Sequence, residues 1–403
     1  MNPPATIMKL RHPAFAFALC AFYILHSSFF ISCSAAQGAA GAQSADAVMA
    51  RLVTVTAPQV KGAHDAHFAI AGNRAYVVST ANDERPGEGD TWDFEYATLS
   101  IVNLDTLKVE RIVPIAKNGQ AFANATLPDG GCSAPRILQK DENTLRVFFS
   151  AHSKTDQEQI WFRDFNLRSG EFANEIHRMK LKTSAGVFDL QPVYYWNDAV
   201  LRGLKGKSRT FGMYMFSFYK DADGKTYTNL NNFRTKQNAL AVLNDAMDTV
   251  EIIGHFNEPQ SAGLSEAAIN KTPSGDWMAI VRSDKNNKDY YFTTSAGGKK
   301  WSKGKTMPFV PSGGGSKPVF EKFNGVYYLG WQEDAARTIF NIDVSTDCEN
   351  WTRKYRFETP LTFQYPTLQQ HDGKIYISVT TGEKGVTKDV TTGKVKILFG
   401  VLE

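Results

Sequence analysis

The chain has 403 residues, 42% hydrophobic and 21% charged, with 45 Lys and Arg against 41 Asp and Glu. That balance excludes a disordered, collagenous or small disulfide-rich protein and leaves ample length to bury a core. A formal net charge of +4, without a basic block or an RNA-binding signature, gives nucleic acid no footing as a partner.

In chain order, Lys9 and Arg11 precede an apolar run from Pro13 to Ile31, and Ser32, Ser34, Ala35 and Ala36 follow. A cationic start, an apolar run and a stretch of small residues are the parts of an export signal. Phe30-Ile31-Ser32-Cys33 also has the outline of a bacterial lipobox, in which Cys33 is acylated and ties the protein to a membrane. Lipidation, plain cleavage and an uncleaved anchor stay open, and each puts the body outside the cytoplasm as a periplasmic, outer-membrane or secreted protein. Removing residues 1–33 takes away two cations and no acid, which leaves a charge of +2. Residues 34–48 read as a linker and residues 49–403 as one domain, expected as a monomer.

After residue 60, long helical periodicities are scarce, and short runs rich in Val, Ile, Tyr, Phe and Thr alternate with Gly, Asp and Asn turns. Within them a unit repeats: a polar approach, Pro or Ala, an apolar pair, a turn, and a second apolar strand. Six copies occur, centred on Phe68, Pro135, Pro192, Ala267, Pro318 and Pro366, at spacings of 67, 57, 75, 51 and 48 residues. Each spacing suits one four-stranded propeller blade with its loops, so the fold class predicted is all-β, a six-bladed β-propeller. Such a ring must close, and residues 396–402, Lys396 to Leu402, are expected to pair beside Arg51 to Val55.

In a propeller the innermost strands surround the axis, so the residue before each pivot should face one mouth of the channel. That column reads His67, Ala134, Gln191, Glu266, Lys317 and Tyr365. Ionisable groups converging on a channel mouth are where ligands and shifted pKa values are expected, with hydrogen-bonded structural roles as the alternative for any one of them.

Thr294-Ser295-Ala296-Gly297-Gly298-Lys299-Lys300-Trp301 and Ser345-Thr346-Asp347-Cys348-Glu349-Asn350-Trp351 resemble Asp boxes (BNR repeats), the hairpin turns of sialidase-type propellers. In the first, Ala296 stands where the box aspartate is expected; the second lacks the glycine and reads one residue short. Leu264-Ser265-Glu266-Ala267, then Ile280-Val281-Arg282-Ser283, then Arg337-Thr338-Ile339, then Tyr365-Pro366-Thr367-Leu368 follow the order of sialidase motifs over roughly residues 260 to 380. The chain thus resembles the sialidase superfamily, which cleaves ketosides with a tyrosine nucleophile in place of the usual carboxylate. The resemblance implies an exo-acting glycosidase on a glycan with an acidic terminal sugar. Tyr365 is its nucleophile, Glu266 the base that takes the phenol proton, and Arg282 and Arg337 two of the family's three carboxylate-binding arginines.

The family's first arginine is absent, since His64-Asp65-Ala66-His67-Phe68 occupies its place; Lys317, His67 or Arg136 is left to supply positive charge, although strand alternation turns Arg136 aside. Residues 82–93 form a polar loop in which Asp90 is the preferred general acid, Asp93 and Asp83 the alternatives, and Trp92 a candidate sugar-stacking platform. A propeller polysaccharide lyase using His67, Tyr365 and Arg282, and a non-catalytic glycan-binding propeller, remain the rival readings. No Cys or His spacing suggests zinc, so no metal and no cofactor is expected, and Cys132 and Cys348 read as two independent thiols. Gly313-Gly314-Gly315-Ser316-Lys317 lacks Walker spacing, and Gly263-Leu264-Ser265-Glu266-Ala267 lacks the last glycine of a nucleophile elbow.

Overall fold

The structure, a computed structural model, describes residues 45–87, 94–152, 159–201, 212–233, 235–285, 289–384 and 391–403. The strands form six sheets arranged as a six-bladed β-propeller. The innermost strands are Gly62–Ala71, Cys132–Asp141, Met213–Lys220, Leu264–Lys271, Val319–Phe323 and Gln364–His371, in blades 1 to 6. Each touches the next, and the last touches the first, which closes the ring around the axis.

The core lies between blades. Six apolar clusters each join two neighbouring sheets, such as Val78, Leu99 and Ile101 of blade 1 with Ile137, Phe149 and Trp161 of blade 2. A strand held between two such layers is buried on both faces, so Arg74–Asn82 is buried at every position after the first, whereas the outer strand Val109–Ala116 is buried only at its last two positions. That double burial explains why the sequence carries continuous apolar runs instead of strict alternation. Burying each Phe, Leu or Val contributes roughly 1.5–3 kcal/mol.

Closure follows the expected route. Val53 and Thr54 pair antiparallel with Phe399 and Leu398, so blade 6 is completed by a strand from the other end of the chain. Phe399 is fully buried, edge-on to Phe68 at 5.1 Å and stacked on Tyr376 at 5.9 Å. Ala45 and Val48, on a helical turn at 45–49, pack into the cluster between blades 5 and 6.

Blade 3 departs from the repeat. Pro192–Leu201 is an α-helix, not an inner strand, and the inner strand of that blade is Met213–Lys220. Pro192 stands at the first helical position, where its missing N–H costs nothing. The helix adjoins the outer strand Lys180–Thr183, which pairs parallel to Thr249–Glu251, and Asp198 bonds His255 at 3.0 Å with both side chains buried.

Candidate active site

Inner strands of five blades carry a β-bulge near their starts: between His64 and His67, Ser133 and Arg136, Met215 and Phe218, Leu264 and Ala267, and Gln364 and Thr367. A bulge adds one residue to one strand, bends it and re-aims a side chain. Asp65, Ala134 and Tyr365 are the first residues of three of these bulges and have φ of 50°, 49° and 53°. A left-handed backbone at a non-glycine residue costs on the order of 1–3 kcal/mol. Neighbouring blades help hold it: Asp65 N–H donates to Thr380 Oγ1 at 3.1 Å and Ala134 N–H to Thr80 Oγ1 at 2.9 Å.

The bulges bring Tyr365 of blade 6 and Glu266 of blade 4 together. The Tyr365 hydroxyl lies 3.0 Å from both Glu266 carboxylate oxygens, and Arg282 Nη1 donates to Glu266 at 2.7 Å and to the tyrosine oxygen at 2.8 Å. Asp284 holds Arg282 Nε at 2.7 Å and also pairs with Lys236. The Arg337 guanidinium and the Lys317 ammonium each lie 5.4 Å from the Tyr365 ring, and His64 meets its edge at 4.4 Å between ring centroids. Arg337 is anchored by Gln364 Oε1 and the Gly315 carbonyl, both at 2.5 Å. Burial of Tyr365 and Glu266 removes the water that would weaken these contacts.

Asp65 is the floor of this group. One of its oxygens accepts from Lys317 at 2.7 Å and the other from Arg136. Burial alone would raise the Asp65 pKa, but Arg136 and Lys317 overcome it and hold the carboxyl far below the usual carboxylate range. Burial lowers the Lys317 pKa against the pull of Asp65.

Several sequence expectations change in this light. His67 lies beyond the bulge, in register with Val78, and Asp65 takes the place in blade 1 that Ala134 and Tyr365 take in theirs. Its Nδ1 accepts the Ile137 N–H at 3.3 Å, and burial together with Arg136 and Lys317 drives its pKa well below normal, so it supplies no positive charge. It is His64 that packs on Tyr365. Gln191 precedes the helix of blade 3 and has no place on an inner strand; the bulge of that blade carries Phe216 and Ser217. Lys317 and Arg136 reach the site only from below, both committed to Asp65. Asp90, Asp93 and Trp92 lie outside the described residues, and so does Cys33; Asp83 accepts the Tyr96 hydroxyl at 2.8 Å.

The two box-like turns prove equal in length. Ser295, Gly298 and Trp301 match Ser345, Cys348 and Trp351: each serine Oγ accepts the N–H three residues on, at 2.9 Å, and each indole donates to the carbonyl of Gly298 or Cys348. Asp347, which accepts the N–H groups of Glu349 and Asn350, therefore aligns with Gly297, not Ala296. Cys132 and Cys348 are free thiols. Among the described residues no group of three or more His, Cys, Asp or Glu is arranged to hold a metal ion.

Sequence reading missed Asp65, Asp284 and Lys236. A signal for Asp65 was present, since Ala66 follows it as Pro135 follows Ala134 and Pro366 follows Tyr365.

No family model and no curated protein matches the chain. Among solved structures, it is similar to a Dyadobacter fermentans protein of unknown function, with a TM-score of 0.59 and 12% identity over 87% of this chain and 98% of that one. It is similar to Trypanosoma rangeli sialidase in complex with the inhibitor DANA, with a TM-score of 0.52 and 11% identity over 87% of this chain and 57% of that one. The same sialidase in complex with 2,3-difluorosialic acid, a covalent intermediate, gives 0.54 and 12% over 87% and 56%. The chain thus spans a little over half the sialidase's length, and the likeness is one of fold.

Proposed function

We propose that the protein is an exported, exo-acting glycoside hydrolase that removes an acidic terminal sugar from a glycan. What carries this reading is the Tyr365 hydroxyl held between the Glu266 carboxylate at 3.0 Å and Arg282 at 2.8 Å. A phenol is a poor nucleophile until a base within hydrogen-bond reach takes its proton. Glu266 accepts that proton as the tyrosine oxygen bonds to the anomeric carbon, and the departing glycosidic oxygen takes a proton from a carboxylic acid of the 83–93 loop, with Asp90 preferred. Water then attacks the anomeric carbon, its proton passes to that carboxylate, and Glu266 returns its proton to Tyr365. Two displacements at one carbon retain its configuration.

Charge favours an anionic sugar. Arg136, Lys236, Arg282 and Lys317 pair with Asp65, Glu266 and Asp284, and Arg337, held by Gln364 and Gly315, stands over the Tyr365 ring, so five cations meet three carboxylates around the tyrosine. Guanidinium forks suit a carboxylate better than an ammonium does.

The test is turnover of fluorogenic sialosides, uronides and neutral glycosides by the wild type and Tyr365→Phe. The expected result is hydrolysis of an acidic glycoside, lost by a factor of about 10³ or more in Tyr365→Phe. Hydrolysis by Tyr365→Phe near the wild-type rate would remove Tyr365 from the reaction.

A further inference from the structure

Below the Asp65 floor, a cavity of about 490 Å³ follows the axis. Tyr365, Glu266 and Asp65 stand near the starts of their strands, whereas the cavity wall includes the strand-end residues Lys220, Phe323 and Gln370. Gln139 and Lys220 on its rim are exposed, so it opens on the face opposite Tyr365. Its size falls in the range of small-molecule sites, roughly 300–1,000 Å³.

Three polar groups of the wall are unspent. Among the described residues, neither the Glu321 carboxyl nor the Gln139 and Gln370 amides have a hydrogen bond or ion pair; Glu321 is half-buried, and that burial pushes its pKa up to about 8. A half-buried carboxyl facing a cavity keeps its acceptor positions open to a ligand. Phe218 and Phe323, half-buried, offer apolar surface beside them.

We propose that this axial cavity binds a neutral saccharide of one or two units, with Phe218 and Phe323 against its C–H faces and Glu321, Gln139 and Gln370 on its hydroxyls. The wall carries both signs of charge. An anion would meet Glu321, and a cation would meet Lys220 and Lys317. A hydroxyl both donates and accepts, so Glu321 serves it whether protonated or ionised. This site is separate from the Tyr365 chemistry and does not rest on it.

The experiment places a fluorescent reporter in the wall, Phe218→Trp and, separately, Phe323→Trp, in the otherwise unaltered protein. The probes are glucose, galactose, N-acetylglucosamine and maltose, with glucuronate and glucosamine as charged counterparts. The expected result is a saturable change in both reporters with at least one neutral sugar, weaker binding of the charged sugars, and a loss of tenfold or more in affinity on Glu321→Ala. Should Glu321→Ala fail to fold, Gln370→Ala must weaken binding instead. No response to any neutral sugar, tighter binding of glucuronate or glucosamine, or affinity unchanged in these variants overturns the proposal.

Discussion

Tyr365 and Glu266 come from blades 6 and 4, which are not neighbours, yet the tyrosine hydroxyl sits 3.0 Å from each carboxylate oxygen. Arg282 donates to both partners and is itself held by Asp284. A planar guanidinium that donates to two groups through Nη1 while its Nε side meets Asp284 cannot be replaced by a point charge. Arg282→Lys is expected to lower kcat about 10²–10³-fold, the usual loss for a missing oriented donor, with the thermal unfolding midpoint little changed. Steady-state kinetics check it, and a fall in affinity alone would mean that Arg282 only binds substrate.

Asp65→Asn leaves Arg136 and Lys317 buried without their counter-charge. Breaking a buried pair this way costs about 3–5 kcal/mol, measurable by denaturant unfolding at pH 7. The folded pKa of Asp65 is depressed, so its contribution is present above the unfolded value of about 3.9 and is lost as pH falls toward the lower folded value. Wild-type stability should therefore drop steeply below about pH 4, and the Asp65→Asn variant should show a shallower slope there. Equal slopes would contradict the buried pairing.

The ring depends on its closing strand. Phe399 joins Phe68 of blade 1 to Tyr376 of blade 6, so Phe399→Ala should cost about 3–5 kcal/mol. Equilibrium unfolding checks the figure, and a cost near zero would mean that closure does not limit stability.

The two matched turns predict opposite tolerance at one position. Gly298 has φ of 75°, and a Cβ there would lie 2.6 Å from Leu240 and 3.2 Å from Ile253, so Gly298→Ala should destabilise by about 1–3 kcal/mol. Cys348 already places a Cβ at φ of 63°, so Cys348→Ala should stay within about 1 kcal/mol. Thermal melts of both variants separate the two cases.

The repeat was legible because a blade's inner strand needs the same apolar pair and turn each time, and five of six units fall on inner strands. The third unit is the exception: aromatic and β-branched residues in Pro-Val-Tyr-Tyr-Trp suggest a strand, whereas Pro192 stands at the first position of a helix. The Tyr365, Glu266 and Arg282 contacts were legible as motif order. The Asp65 floor was not, because blade 1 has Ala66 where blades 2 and 6 have Pro135 and Pro366, and Phe68, two residues on, took the pivot's place and moved the column from Asp65 to His67. Asp284 and Lys236 carry no pattern of their own; only the fold brings them to Arg282.

The most direct measurement is mass spectrometry of the protein after incubation with a fluorinated, slowly released analogue of whichever glycoside it hydrolyses. An added sugar mass on the peptide containing Tyr365 is the predicted result. A sugar mass on a carboxylate residue, or continued turnover with no adduct, would contradict tyrosine as the nucleophile.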